Sequence, residues 1–537
     1  MPTALELLQE GRNRELWEKC CGFIDLNMEQ FMTIQNRLLM EQIELLKNCE
    51  LGSQIMGKTK PRTVEEFRIQ VPITTYSDYA PYLPEQRENG LPEKPKLWQR
   101  TSGRSSEYSY KWVPITERMY RELGDSFMAL LLFSSCTERD EVRFEPGDKF
   151  LYGLAPPPYA SGCWAHRLAE EGIFDFLPPM NEAENMEFQK RIEEGFRLGL
   201  TEGIDMMAGI SVLLLTVGER FGQGGGMKRI FQMLGQPQTL PRLLKAVFRS
   251  KMAGHPLRPQ DVWRLKGLVC SGTDSSVYRE RIKEMWGRYP LDIYGATECV
   301  IVAMQTWDYG DMTFVPFFNF LEFLPEVEYA KWSADHEYRP RSLLLDEVVP
   351  DEKYVLVVTN FLGGVFVRYL LGDMIRITSL RNTELNINIP QMAYYSRVDN
   401  VLDFAGASFT EKAIWQAIED SGLDYVEWVA RKETVDRSVL HIYIELKSGR
   451  PSIKQVTTAI DQHLQTIKED YAYMVQEEGH RLLEVTLLSD GAFQRYSALR
   501  QAAGADQAWW KPPHINATDE VIAVLRGEET QVVTPTV

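Results

Sequence analysis

A chain of 537 residues exceeds what one ordinary hydrophobic core organises and calls for a large domain plus a smaller one. Its apolar share of 44% and charged share of 25% are those of a soluble globular protein, and its net charge of −17 argues against a nucleic-acid or anionic-membrane partner, since both reward a basic surface. The longest apolar runs, Met128 to Phe133 and Ile210 to Val217, fall far short of a bilayer span, and the N-terminus has no basic segment leading into an apolar one, so the expected location is cytoplasmic.

The first fifty residues carry Phe31, Ile34, Leu38, Leu39, Ile43 and Leu46 at helical spacing, which predicts helices packed on the main domain. Gly267 to Gly272 reads as a short apolar strand. Asp274 or Ser275 caps the helix after it, whose buried face is Tyr278, Ile282, Met285 and Trp286, and Leu291 to Tyr294 is a second strand. Strand, helix, strand at this spacing is a βαβ unit, so a parallel sheet is expected with ligands at the carboxyl ends of its strands. That places Ser271-Gly272-Thr273 beside Tyr294-Gly295-Ala296-Thr297-Glu298 at one rim. Tyr354 to Thr359 is a further buried strand.

The chain changes character near Tyr395. A helix (Glu411 to Asp420), strands (Tyr425 to Ala430 and Leu440 to Leu446), a long helix (Ile453 to Gln476) and a strand (Leu482 to Leu488) predict a small α+β domain with an antiparallel sheet. The tail beyond Arg526 is expected to be loose. Cysteines at 20, 21, 49, 136, 163, 270 and 299 form no CxxC pair and read as reduced packing residues, Cys299 included. The seven histidines are dispersed, which gives no support to a His-cluster metal site.

Three stretches carry chemistry. In the first, Thr101, Ser102, Gly103, Arg104, Ser105 and Ser106 set hydroxyls around a glycine, with Lys111 downstream; such a loop offers several donors to phosphate oxygens, and a lysine adds a compact positive charge. On composition alone the reading as a solvated turn is the stronger one. The second is Tyr294-Gly295-Ala296-Thr297-Glu298 and the third is Phe366-Val367-Arg368-Tyr369-Leu370-Leu371-Gly372-Asp373. Singly, Tyr294 could be a core aromatic, Glu298 a surface carboxylate and Asp373 a turn former.

Together and in this order the three resemble the nucleotide-binding motifs of the acyl-adenylate-forming superfamily. The wording "RYLLGD", the opening "VEEFRIQVPITTYSDYAPYL" and the ending "DQAWWKPPHI" are most similar to the Gretchen Hagen three family of acyl acid amido synthetases. The resemblance implies an α/β fold: a large N-terminal adenylate-forming domain with mostly parallel βαβ sheets, 1–394, binding ATP and the acyl acid, and a smaller C-terminal α+β domain, 395–537, acting as a mobile lid. It implies that Thr101, Ser102, Gly103, Ser105, Ser106 and Lys111 hold the β- and γ-phosphates. Glu298 would take Mg²⁺, Tyr294 would face adenine, Thr297 would reach the α-phosphate and Asp373 the ribose. Ser271, Gly272, Gly295 and Ala296 would complete the rim. Ser396-Arg397-Val398-Asp399 resembles the superfamily's hinge, with Arg397 at the ribose and Asp399 as pivot, and Lys511 matches the lysine delivered for adenylation.

The implied activity is ATP- and Mg²⁺-dependent activation of a small carboxylic acid, followed by transfer to an amino acid or other amine. An acyl-CoA ligase of the phenylacetate type and a degenerate fold serving only as a nucleotide-binding module are the alternatives. Three departures bear on them: Arg104 where the family has Thr or Ser, Glu107 near a usual glycine, and Leu370 for an arginine. The aromatic-rich stretches Tyr152 to Trp164 and Ala303 to Phe318 are expected to line the acid's pocket, unless they are plain core.

Overall fold

In a computed structural model the chain divides into two compact units, Met1–Tyr394 and Tyr395–Val537. The structure describes residues 2–528 apart from 102–109, 223–238, 272–274, 399–400, 405–406, 435–437, 450, 470, 473–474, 476–480 and 503–513.

The first unit is organised by an eleven-stranded sheet whose spatial order is Asn319–Pro325, Lys353–Asn360, Tyr369–Ser379, Gln391–Arg397, Met312–Phe314, Ala303–Met304, Leu291–Tyr294, Gly267–Ser271, Met206–Ile210, Lys149–Tyr152 and Asp175–Leu177. The expectation of a mostly parallel sheet holds for one half only. The last five strands pair parallel. Pairing turns antiparallel from Leu291–Tyr294 to Ala303–Met304 and Met312–Phe314, and again among Asn319–Pro325, Lys353–Asn360 and Tyr369–Ser379. The reason is local: eight residues separate Tyr294 from Ala303, too few for the helical crossover that a parallel return requires.

The helix Met28–Lys47 begins with a capping box between Asn27 and Gln30 and buries Phe31, Leu38, Leu39, Ile43 and Leu46 on one face, as its spacing predicts. Two amides share that face. Gln35 Nε2 donates to the carbonyls of Pro316 and Asn319, both at 2.8 Å, while Gln42 Nε2 donates to Gly364 O at 2.8 Å and its Oε1 accepts from Gly363 N at 2.9 Å. Buried amides facing open backbone groups fix this helix in one register on the sheet.

A separate antiparallel hairpin, Pro95–Arg100 with Trp112–Thr116, carries the Ser/Gly-rich segment as its connection. Its neck is closed by Thr101 N donating to Lys111 O (3.0 Å) and Lys111 N donating to Thr101 Oγ1 (2.9 Å).

The second unit holds a three-stranded sheet that differs from expectation. Tyr425–Thr434 and Ser438–Leu446 are antiparallel, but Leu483–Leu487 pairs parallel to the latter. The helix Ile453–Ile467 supplies the crossover; the predicted long helix is interrupted at Lys468, which is extended at φ −119°, ψ 98°, residues 469, 471, 472 and 475 are helical again, and the predicted end at Gln476 lies outside the described residues. One face of the sheet, with Val429 and Tyr443, packs on Phe493, Ile522 and Leu525 of two later helices.

A candidate nucleotide-binding active site

The strands Gly267–Ser271 and Leu291–Tyr294 run side by side, with Val269 opposite Leu291 and Cys270 opposite Asp292. Their carboxyl ends therefore share one rim, as the βαβ reading requires. Ser271 ends its strand there, while Gly272 lies outside the described residues.

Beyond Tyr294 the chain closes a tight loop: Val300 N donates to Ala296 O (2.7 Å) and Val302 N to Tyr294 O (3.0 Å). Gly295 is required at this point, because a Cβ would sit 2.0 Å from the carbonyl oxygen of Val300. Val300 itself has φ +60°, a conformation that β-branched residues rarely adopt. Two buried asparagines hold this strained loop. Asn360 Nδ2 donates to Glu298 O (3.0 Å) and to Asn319 Oδ1 (2.9 Å), and Asn319 Nδ2 donates to Cys299 O (2.6 Å). Strain of this kind persists only where surrounding contacts over-determine the backbone, and here its result is to fix Glu298. Thr297 is half-buried in the same turn. Cys299 is wholly buried, with burial and then the neighbouring Glu298 carboxylate pushing its thiol pKa well up, so it is the packing residue expected and no nucleophile.

The loop brings Glu298 to the neck of the hairpin. Lys111 Nζ lies 3.0 Å from Glu298 Oε1 and 2.9 Å from the hydroxyl of Tyr369. Its ammonium also stands over the rings of Tyr76 and Tyr369, 5.4 and 5.7 Å from their centroids. Both partners of the pair are largely buried, with 18% and 9% of their side chains exposed. A second pair lies within the sheet: Tyr294 OH donates to Asp373 Oδ2 at 2.9 Å, with both residues buried. Burial, then the Asp373 charge, drives the Tyr294 pKa well above its ordinary value, which keeps the hydroxyl protonated as the donor. The Tyr294 ring is tilted against Tyr394 at 5.9 Å.

Sequence reasoning missed the role of Arg368 within the "RYLLGD" stretch. Its guanidinium forms a bidentate pair with Glu322, at 3.0 and 2.8 Å, and donates to the carbonyls of Arg68 and Val71. Glu322 also accepts from Ser342 Oγ at 2.6 Å. Arg368 is a structural clasp that places Tyr369 and, five residues on, Asp373. Tyr369 is likewise a site residue that the sequence did not single out; its position between Arg368 and Leu370 was the available signal.

Of the two stretches expected to line an acid pocket, Ala303 to Phe318 is largely core. Trp307 packs edge-on against Trp17 at 5.6 Å, Phe314 against Phe323 at 5.4 Å and Phe317 against Phe23 at 6.4 Å. Tyr152 to Trp164 instead borders the hairpin: Arg100 N donates to Pro158 O (2.8 Å) and its guanidinium meets the Tyr159 hydroxyl at 2.5 Å. Arg397 is exposed at the start of the second unit. Ser102, Gly103, Arg104, Ser105, Ser106 and Glu107 of the cradle, the pivot Asp399 and the delivered Lys511 all lie outside the described residues.

No described group of three or more His, Cys, Asp or Glu residues is arranged to hold a metal ion. Glu298 as a lone carboxylate still fits Mg²⁺, a cation that retains several waters and takes phosphate oxygens alongside one or two carboxylates.

Comparison with solved structures defines the class: the fold is that of the adenylate-forming enzymes. The acyl acid amido synthetase AtGH3.15, in complex with 2,4-DB, is 15% identical over 97% of this chain and 96% of its own, with a TM-score of 0.64. The 2-hydroxyisobutyryl-CoA ligase in its postadenylation state is 14% identical over 97% and 91%, with a TM-score of 0.56. Residues 20–152 match the GH3 family N-terminal domain and residues 312–397 the GH3 family central domain. A comparison with curated protein sequences finds no match. Among the described residues, no helix is long and apolar enough to cross a membrane.

Proposed function

We propose that the protein is an ATP-dependent ligase that activates a small carboxylic acid as its acyl-adenylate and passes the acyl group to an amino acid or another amine. The observation that carries this reading is the convergence of Lys111, at the root of the Ser/Gly-rich loop, on Glu298, at the rim of the parallel strands, within a GH3-family fold.

The chemistry places two anions in contact, since a carboxylate oxygen must attack the α-phosphorus while the bond to the bridging oxygen breaks and pyrophosphate leaves. Cationic and hydrogen-bonding groups at that point lower the barrier. In our reading Lys111 and the hydroxyl-rich loop hold the β- and γ-phosphates, Thr297 reaches the α-phosphate, and Asp373 accepts from the ribose hydroxyls while Tyr294 holds its carboxylate in place. Glu298 would hold Mg²⁺, which when bound supplies neutralisation of the phosphate charge. Lys511 would bridge carboxylate and α-phosphate, with Arg397 at the ribose. Rotation of the 395–537 lid about Asp399 would then admit the amine, whose nitrogen attacks the acyl carbon, releases AMP and loses a proton. A cytoplasmic location goes with this reading.

The test supplies ATP, Mg²⁺ and a panel of aromatic and aliphatic acids, and compares products with amino acids and with coenzyme A by mass spectrometry. Amide and AMP are expected. A thioester without amide would replace the amido synthetase with an acyl-CoA ligase, and no AMP with any acid would leave a nucleotide-binding module.

A further inference from the structure

Lys111 is held by one tyrosine at its root and by another at its tip. At the root, the hydroxyl of Tyr76 accepts from Trp112 N (2.9 Å) and donates to Trp112 O (3.1 Å), which ties down the residue that follows the lysine. Thr101 closes the other side through the Lys111 backbone. At the tip, the ammonium donates to the hydroxyl of Tyr369 at 2.9 Å and to Glu298 Oε1 at 3.0 Å, and it stands over the rings of Tyr76 and Tyr369. An ammonium has three protons and no acceptor. Glu298 and Tyr369 take two of them, which leaves one donor for an incoming phosphate oxygen.

These two partners of the ammonium differ in charge and in duty. Tyr369 is buried, and its backbone is fixed from both sides: it pairs with Val358 in the sheet, while Thr74 bridges it in parallel, with Thr74 N donating to Arg368 O and Leu370 N to Thr74 O, both at 2.9 Å. Its ring packs on Phe366 at 4.4 Å and on Tyr79 at 6.2 Å, so the phenol has one position. A phenol is uncharged near neutrality. Glu298 brings the opposite charge, but in the proposed function that carboxylate also serves Mg²⁺, and its hold on Lys111 weakens when Mg-ATP is bound. Tyr369 has no such second duty.

We infer that Tyr369 is the positioning residue for Lys111: its hydroxyl keeps the ammonium aimed at the β- and γ-phosphates while Glu298 is drawn upon by the metal ion, and the rings of Tyr76 and Tyr369 form the electron-rich floor on which the charge rests. The inference rests on the proposed phosphate-binding role of Lys111. Its physical ground is that a lysine is a point charge on a flexible stem, so an ammonium ordered in advance spares the conformational freedom that a loose one loses on binding.

The experiment compares the binding of Mg-ATP and of AMP to the full chain by isothermal titration calorimetry. Tyr369→Phe keeps the ring and its packing and removes only the hydroxyl. It is expected to weaken Mg-ATP binding by about tenfold, the size of a lost hydrogen bond to a charged group, and to leave the binding of AMP, which has no β- or γ-phosphate, within about twofold of wild type. A general loosening of the site would weaken both. In acid-dependent pyrophosphate exchange the loss should fall on the KM for ATP and leave the KM for the acid unchanged. In a Lys111→Ala background Tyr369→Phe should add no further loss, as expected of a residue acting through another. If Tyr369→Phe does not fold, Tyr76→Phe, which frees the root of the lysine at Trp112, carries the same comparison with a smaller loss. Unchanged Mg-ATP binding in a folded variant, an equal weakening of AMP, or an additive loss in the Lys111→Ala background overturns the inference alone. Undiminished Mg-ATP binding in Lys111→Ala, or none by the wild type, overturns the reading on which it rests and the inference with it.

Discussion

Lys111 Nζ and Glu298 Oε1 stand 3.0 Å apart, joining two elements that the chain separates by 187 residues. Each is assigned to a different part of Mg-ATP, the lysine to phosphate oxygens and the glutamate to the cation. Mg-ATP bound as proposed would draw on the same two charges and so weaken the pair. Closed, it satisfies two largely buried charges that would be costly if left alone.

The pair therefore competes with ATP, and the competition has a sign. Glu298→Gln removes the competitor of the phosphates and the ligand of the metal together. Metal-free ATP should bind this variant about tenfold more tightly than wild type, equivalent to about 1.4 kcal/mol, while exchange with Mg-ATP falls by about 10² or more. Isothermal titration calorimetry with and without Mg²⁺ checks the first, and pyrophosphate exchange the second. Weaker metal-free ATP binding in Glu298→Gln would mean that Glu298 does not restrain Lys111.

The Arg368–Glu322 clasp makes a prediction about stability. Side-chain exposures of 3% and 0% leave no solvent to rescue either charge once its partner is gone. Glu322→Ala should destabilise the first unit by about 3–5 kcal/mol, whereas replacing both residues by apolar ones of similar volume should recover much of that loss. Chemical denaturation of the single and double variants decides the matter. A loss below about 1 kcal/mol in the single variant would place the pair among those that contribute little.

How far the chain could be read in advance follows from what kind of signal each feature leaves. The helix Met28–Lys47 was legible because burial writes itself as a spacing of Phe31, Leu38, Leu39, Ile43 and Leu46. The strands at Gly267–Ser271 and Leu291–Tyr294 were legible from their apolar runs and the helix between them. Direction was not: Leu483–Leu487 runs parallel because of its connection, a property that its own five residues do not encode. Single polar side chains with long-range partners left least trace. No spacing or motif in the sequence marks Gln35, Asn319 and Asn360, yet their buried amides hold the helix and the Glu298 loop. Arg368 stood inside a motif that drew attention to nucleotide binding, while its partner Glu322 is 46 positions away.

The hydrogen bond from Tyr294 to Asp373 yields the last prediction. A carboxylate assigned to the ribose hydroxyls needs one orientation, and here a buried phenol donating at 2.9 Å sets it. Tyr294→Phe keeps the ring and its contact with Tyr394, and removes only the donor. The variant leaves a buried carboxylate short of a partner, at a cost of about 1–3 kcal/mol. Where Asp373 binds ribose, ATP restores donors to it, so the binding of ATP should offset part of the loss. Thermal unfolding should show a larger ATP-induced rise in Tm for Tyr294→Phe than for wild type, with KM for ATP altered several-fold at most. Asp373→Asn, which no longer presents a charged acceptor, should instead raise KM for ATP by about tenfold or more. An equal ATP-induced rise in both proteins, together with an unchanged KM in Asp373→Asn, would remove Asp373 from the nucleotide site and leave the pair as a structural bond within the sheet.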